Sequence, residues 1–262
     1  MTAARTPPGT ILITGASSGI GAALARCYAA PGRRLALQGR NVARLDAVAA
    51  ECVSAGATVC SLPLDVTSAA PLADWIDSVF SDGSLDLVIA NAGVSAGTGG
   101  GGEDAEQVRR IFAVNVDGTL NTALPAIRRM RGQPALDGRR GQIALMSSLA
   151  AFRGFPGAPA YCASKAAVRV WGEALRGSLQ ADGILVSVIC PGFVESPMTA
   201  VNDFPMPFLM LADRAARIIR SGLTRDRARV AFPWPNYAAA RLIAALPPAF
   251  ADRCLVRLPK KG

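Results

Sequence analysis

Tyr161 and Lys165 stand four residues apart in Tyr161-Cys-Ala-Ser-Lys165, a spacing that puts both side chains on one face of a helix about one turn apart. A phenol with a pKa near 10 is a poor base at neutral pH, but an adjacent ammonium stabilises the phenolate and lowers that value. Only Lys165, Lys260 and Lys261 among the 28 basic residues are lysines, so a lysine here answers a need for a compact ammonium, one that can also bond a ribose hydroxyl. An ordinary helical pair has the same spacing, and the pair alone leaves both readings open. Ser147 and Ser148 end an apolar run upstream of Tyr161. A hydroxyl at Ser148 can donate to a substrate oxygen as negative charge develops there; a turn serine is the plain alternative. The chain has no histidine. Ser-His-Asp and Cys-His nucleophiles and histidine-based metal sites are thereby excluded, and proton transfer falls to Tyr, Lys, Ser, Asp, Glu or Cys.

A second set of residues can hold an anion. Thr14-Gly15-Ala16-Ser17-Ser18-Gly19-Ile20-Gly21 follows the apolar run Thr10 to Thr14 and leads directly into a helical pattern. Gly15, Gly19 and Gly21 let the backbone turn tightly against a pyrophosphate, and Ser17, Ser18 and Ile20 bring NH groups of the helix start towards it. The spacing G-x-x-x-G-x-G differs from the commoner dinucleotide fingerprint, and a bland turn has similar composition. About twenty residues on, Gln38-Gly39-Arg40 closes the next apolar run, where a fold preferring NAD places a carboxylate on the ribose. Glycine followed by Arg40 suits a 2′-phosphate, and so NADP(H); a solvated arginine is the alternative.

The elements that must position these groups alternate along the chain. Apolar runs at Thr10 to Thr14, Arg34 to Gly39, Thr58 to Leu62, Leu85 to Ala90, Gln142 to Ser147 and Leu185 to Cys190 predict strands, each nearly uninterrupted as in a sheet covered on both faces. Helical patterns at Ile20 to Ala30, Val42 to Ser54, Ala70 to Phe80, Asp104 to Arg131 and Ala160 to Ala181 separate them. The expected fold is α/β, a Rossmann-like doubly wound parallel sheet in the order 3-2-1-4-5-6 with a seventh strand, in one domain spanning residues 1–262. The cluster Gly97 to Gly102 reads as a linker or a rim over the carboxyl edge of the sheet. A further helix is expected at Ala212 to Leu223 and another near Asn236 to Leu246.

Composition narrows the setting. The six cysteines are scattered without a CxxC pair and read as small core residues in a reducing compartment. No run reaches the roughly 18 apolar residues of a membrane span, and the first residues lack the apolar core of a signal peptide, so a cytoplasmic protein is expected.

The chain resembles the short-chain dehydrogenase/reductase family in its commonest single-domain form. The resemblance rests on TGASSGIG at Thr14 to Gly21, Asp65-Val66, Asn91-Ala92-Gly93, Asn115 within Val114-Asn115-Val116-Asp117-Gly118, Tyr161 to Lys165, and Pro191-Gly192, over roughly residues 10 to 200. It implies that Tyr161 is the catalytic acid/base, that Ser148 orients and polarises a carbonyl, that Lys165 lowers the tyrosine pKa and holds the ribose, and that Asn115 holds a water in a proton relay. It further implies that Asp65 and Val66 contact adenine, that Asn91, Ala92 and Gly93 line the cofactor, and that Pro191, Gly192, Val194 and Ser196 cover the nicotinamide. A homodimer or homotetramer built on the helices after the fourth and fifth strands is implied as well.

The expected activity is therefore NADP(H)-dependent hydride transfer to or from a small-molecule carbonyl or alcohol, with NAD(H) as the other cofactor choice. A non-catalytic NADP(H) sensor is the rival, and a methyltransferase, which shares the glycine loop, has no need of the tyrosine-lysine pair. Residues 195–211 are expected to cover the substrate; Met198, Phe204, Met206, Phe208, Leu209 and Met210 make them apolar and point to a hydrophobic substrate. The net charge of +9 is mostly arginine. Arg214, Arg217 and Arg220, followed by Arg225, Arg227 and Arg229, read as a solvated face, and nucleic acid is not expected for want of nearby aromatics. The tail 233–262 mixes Trp234, Tyr237, Leu242, Ile243 and Phe250 with Arg241, Arg253, Lys260 and Lys261. A cap or subunit contact is the favoured reading over a lid on an acyl substrate or contact with an anionic membrane.

Overall fold

A computed structural model describes residues 8–81, 83–96 and 102–255. Seven strands form one parallel sheet in the order β3-β2-β1-β4-β5-β6-β7. They are β1 Thr10–Thr14, β2 Arg34–Gly39, β3 Thr58–Pro63, β4 Leu87–Ala90, β5 Gly141–Met146, β6 Ile184–Pro191 and β7 Arg229–Phe232. Between them run α1 Gly19–Tyr28, α2 Val42–Ser54, α3 Ala69–Val79, α4 Ala105–Phe112, α5 Gly118–Gly132, α6 Pro159–Ser178, α7 Pro197–Ala200 and α8 Ala212–Thr224. Two more helices, α9 Trp234–Ala245 and α10 Pro248–Leu255, end the described chain.

Alternation along each strand builds the two halves of the core. Ile11 and Ile13 of β1, with Leu35 and Leu37 of β2, pack beneath α1, α2 and α8; Leu12, Ala36, Val88, Ile143 and Leu145 point to the other side against α3, α5 and α6. Parallel strands covered in this way read as continuous apolar runs, which is why six of the seven are visible in the sequence.

Three differences from the predicted elements have local causes. The fourth strand begins at Leu87 rather than Leu85, because the Asp86 carboxylate accepts hydrogen bonds from the NH groups of Gly9 and Thr10 at 2.7 and 3.0 Å. The helix expected from Asp104 to Arg131 is broken by a π-turn at Ala113–Asp117. Gly118 after that turn packs so closely on Val66 that a side chain would have no room. Finally, Arg229 opens β7, and its guanidinium donates to Glu173 and Tyr237 while lying 5.3 Å from the centre of the Phe152 ring. It therefore leaves the solvated face expected for the arginine run. Arg214, Arg217 and Arg220 do stand exposed. Residues 97–101 of the glycine cluster, and 256–262 of the tail, lie outside the described residues.

Candidate active site

The carboxyl ends of β1, β4, β5 and β6 open into a cleft of about 1170 Å³. This is where the strand order reverses and where ligands of such sheets bind. All but two of the expected site residues line it: Gly15, Ser17, Ser18, Gly19 and Ile20; Arg40, Asp65 and Val66; Asn91, Ala92 and Gly93; Ser148, Tyr161 and Lys165; and Pro191, Gly192, Val194 and Ser196. Gly21 and Asn115 stand behind the wall.

Gly15 and Gly19 have φ values of 67° and 52°, a region that favours glycine. A Cβ at Gly15 would lie 2.8 Å from the Ala92 Cα, and one at Gly19 would lie 2.9 Å from the Ser196 Cβ. The loop is thus pressed between β4 and the segment after β6, with the NH end of α1 facing the cleft. A Cβ at Gly21 would strike the Gly15 carbonyl oxygen, so its contribution is the packing of the loop on its own helix. Asn91 secures the opposite side: its Nδ2 donates to the Thr14 carbonyl at 2.9 Å, and its NH donates to Thr14 Oγ1 at 3.1 Å. Backbone NH groups at a helix start, reached through a tight glycine turn, fit a pyrophosphate.

At the end of β2, Arg40 lies 3.5 Å from Asp65. Burial would raise the Asp65 carboxyl, but the NH and hydroxyl of Thr67, together with Arg40, hold it below its ordinary value. Arg44, one turn into α2, also lines the cleft, and the sequence reading passed over it. Gln38 was likewise missed: its buried amide accepts from Gly15 NH at 3.2 Å and donates to the Leu64 carbonyl, tying the glycine loop to the end of β3. Nothing in its neighbours marks it out before the strands are paired.

Tyr161 and Lys165 share the cleft-facing side of α6, with the ammonium 5.9 Å from the centre of the phenol ring. Lys165 is 3% exposed and donates to the Met146 carbonyl at 2.9 Å. Burial pushes its pKa down to about 8. Burial pushes the Tyr161 phenol up, and a hydrogen bond with Ser148 pulls the other way. The lowering expected from Lys165 is not among the influences on the phenol, whose direction is set by desolvation against the Ser148 hydrogen bond. Ser148 Oγ also accepts from Ala150 NH at 3.1 Å, which fixes the hydroxyl at the mouth of β5.

Asn115 is fully buried with its amide committed to the protein: Oδ1 accepts from Val94 NH at 2.8 Å, and Nδ2 donates to the Val94 carbonyl and to Ser164 Oγ, both at 3.0 Å. The π-turn sets this amide between β4 and α6. Ser164 and Glu103 are further residues that sequence reasoning did not single out. Ser164 links Asn115 to the Tyr161 carbonyl at 2.8 Å. Glu103 accepts from Ala160 NH at 2.8 Å, supplying the cap that the first turn of α6 lacks from its own residues.

The rest of the cleft is mostly apolar. Met198 and Phe204 of the expected covering region line it, as do Phe155, Phe193, Ala240 and Ile243. Met210 is instead in the core, Phe208 and Leu209 are exposed, and Met206 accepts from Asn202 through its sulfur at 3.3 Å. One face of α9 thus closes the far side of the cleft, a contact the tail sequence left open. Among the described residues no helix is long and apolar enough to cross a membrane, and no group of three His, Cys, Asp or Glu could hold a metal.

The short chain dehydrogenase family model matches residues 9–204. An uncharacterized oxidoreductase of Myxococcus xanthus is 40% identical over 250 residues, covering 95% of this chain and 97% of its own length. The uncharacterized oxidoreductase Rv0945 of Mycobacterium tuberculosis is 35% identical over 93% of this chain and 96% of its own. Among solved structures, a short-chain dehydrogenase from Sphingobium yanoikuyae in complex with NADPH superposes with a TM-score of 0.77 at 28% identity, covering 92% of this chain and 98% of that one. A short-chain dehydrogenase/reductase from Burkholderia phymatum in complex with NAD has the same fold, with a TM-score of 0.80 at 24% identity over 97% of this chain and 96% of its own.

Proposed function

The chain belongs to the short-chain dehydrogenase family, and from that premise we propose that it is an NADP(H)-dependent oxidoreductase that interconverts a hydrophobic carbonyl compound and its secondary alcohol. The observation that carries this reading is the meeting of two independent sets in one cleft. The hydrogen-bonded pair Ser148 and Tyr161, with Lys165 beside it, shares the cleft with the glycine loop at the start of α1.

In this reading Gly15 to Ile20 hold the pyrophosphate, Asp65 and Val66 the adenine, and Asn91 to Gly93 one side of the cofactor, while Pro191 to Ser196 cover its nicotinamide end. A bound nicotinamide supplies or accepts the hydride. Ser148 donates to the substrate oxygen, and Tyr161 gives that oxygen its proton. Desolvation keeps the phenol protonated at neutral pH, which suits it to act as the acid in carbonyl reduction. Lys165 holds the ribose and, when charged, stabilises the phenolate left behind. Asn115 acts through Ser164 and Val94, keeping α6 in register with β4.

Preference for NADP(H) is supported by Arg40 and Arg44 on the cleft wall and by glycine, not a carboxylate, at the end of β2. The apolar lining from Phe155, Phe193, Met198, Phe204 and Ile243 supports a hydrophobic substrate.

The test is Tyr161→Phe, assayed with NADPH over a panel of aliphatic and aromatic ketones. Loss of the acid should lower kcat by roughly 100- to 10,000-fold while NADPH binding stays within about 2-fold. Full turnover in the variant would remove Tyr161 from the mechanism. A wild-type chain that binds NADPH and reduces nothing in the panel would favour a sensor.

A further inference from the structure

We propose that the outer face of α9 is a lipid-contacting surface that seats the rim of the cleft on an anionic membrane. Trp-Pro-Asn-Tyr-Ala-Ala-Ala-Arg-Leu-Ile-Ala-Ala, the whole of α9, has one charged residue, Arg241. A helix with so little charge usually buries most of its surface. Only its inner face has partners: Ala240 and Ile243 line the cleft, and Tyr237 stacks edge-on against Phe152 with ring centres 5.4 Å apart. Trp234, Ala238, Arg241, Leu242 and Ala245 form the opposite face at helical spacing, and all are exposed, Trp234 by 78% and Leu242 by 67%.

Exposed apolar side chains are found beyond the helix as well. On the cleft side of α9, Asn236 donates to the Pro207 carbonyl at 3.0 Å, next in the chain to the exposed Phe208 and Leu209. Phe250, on the next helix, is 61% exposed. Exposed large apolar groups at helical spacing, such as Trp234 and Leu242, mark a surface that meets a partner or a membrane, and tryptophan is favoured where an apolar phase borders water.

Charge chooses between the occupants. The chain carries a net charge of +9; Arg241 lies on the face, Arg253 is exposed on α10, and Arg257, Lys260 and Lys261 follow in the sequence. Asp252, the acidic residue of α9 and α10, is already paired with Arg153 at 3.1 Å. A second copy, itself carrying a net charge of +9, would bring like charge to the same face. An anionic bilayer complements the same residues, because it offers phosphates to the arginines and an apolar layer to Trp234 and Leu242.

Since the inner face of the same helix lines the cleft, a substrate dissolved in the lipid could pass to the cleft beside α9 with little exposure to water. That last step rests on the hydrophobic-substrate reading above; the membrane contact itself does not. The experiment is co-sedimentation of the full chain with vesicles of phosphatidylcholine alone or mixed with phosphatidylglycerol. We expect sedimentation with the mixed vesicles only, weakened by salt, and a blue shift of tryptophan emission that Trp234→Phe removes. The double variant W234E/L242E should stay in the supernatant yet retain its thermal shift with NADPH and its turnover of a water-soluble ketone. Failure of the wild type to sediment, or sedimentation unchanged in W234E/L242E, overturns the proposal. So does a self-associated wild type that W234E/L242E dissociates without any vesicle binding, which would assign the face to a second copy. Loss of all ketone turnover alongside intact vesicle binding would overturn the enzymatic reading and leave this surface standing.

Discussion

Lys165 is held where its charge is least welcome. Burial lowers its pKa from 10.5 to about 8. At pH 7 folded and unfolded chains are both protonated there, so the cost of the buried ammonium is fully present. Between about 8 and 10.5 the unfolded chain binds more protons than the folded one, and stability therefore rises with pH across that window. The shift corresponds to roughly 3 kcal/mol. We expect Lys165→Met to raise the cofactor-free Tm at pH 7 by about 5 to 10 °C, to lose the rise between pH 8 and 10.5, and to lose turnover as well. Calorimetry of both chains across that range checks this, and a variant no more stable than wild type would show that the ammonium is better solvated than its burial suggests. Tyr161 carries the complementary expectation. With its phenol raised by burial, reduction should hold through neutrality, whereas alcohol oxidation, which needs the phenolate, should climb as pH rises. A pH-independent oxidation rate would mean that another group takes the proton. Tyr161 and Lys165 were legible as a pair because their spacing is helical, and Ser148 because it ends an apolar run. The balance of their pKa values was not, because desolvation depends on what the fold packs over them.

At the scale of elements, the placement of α6 decides where those groups point. Its first turn has no capping side chain of its own and takes one from Glu103, 57 residues upstream. Removing that acceptor leaves the Ala160 NH without a partner next to Tyr161, at a cost of about 1–3 kcal/mol. Glu103→Ala should therefore lower kcat by roughly 10-fold while KM for NADPH is unchanged, and Glu103→Gln, which keeps an acceptor oxygen, should restore it. Steady-state kinetics of the pair decide the matter; equal losses in both variants would point to the charge, and no loss in either would remove Glu103 from the positioning of Tyr161. Nothing near Glu103 in the sequence signals this partner, since a remote cap depends on two segments meeting. The π-turn at Ala113–Asp117 was hidden for the same reason. Residues 104–131 read as one helix, and only the close approach of Gly118 to Val66 and the bonds from Asn115 to Val94 and Ser164 account for the extra residue in the turn.

For the whole molecule, the proposed cofactor should act as a fastener across the sheet, because the cleft gathers loops from β1, β2, β3, β4 and β6. A ligand that binds only the folded chain stabilises it by about 2.7 kcal/mol at a hundred times its Kd. NADPH should therefore raise Tm by several degrees more than NADH at equal concentration, and the double variant R40A/R44A should equalise the two. Equal shifts in the wild type would show that these arginines do not select the cofactor. By itself the sequence determined the sheet, the glycine loop and the tyrosine-lysine pair, because hydrophobic periodicity, tight turns and one-turn spacing are properties of neighbouring residues. Only the tertiary structure decided that Gly21 and Asn115 stand behind the cleft wall, that Gln38 and Glu103 brace it, and that one face of α9 closes it while the other is left open. Those outcomes follow from packing between residues far apart in the chain, where no local pattern records which side of a helix meets which loop.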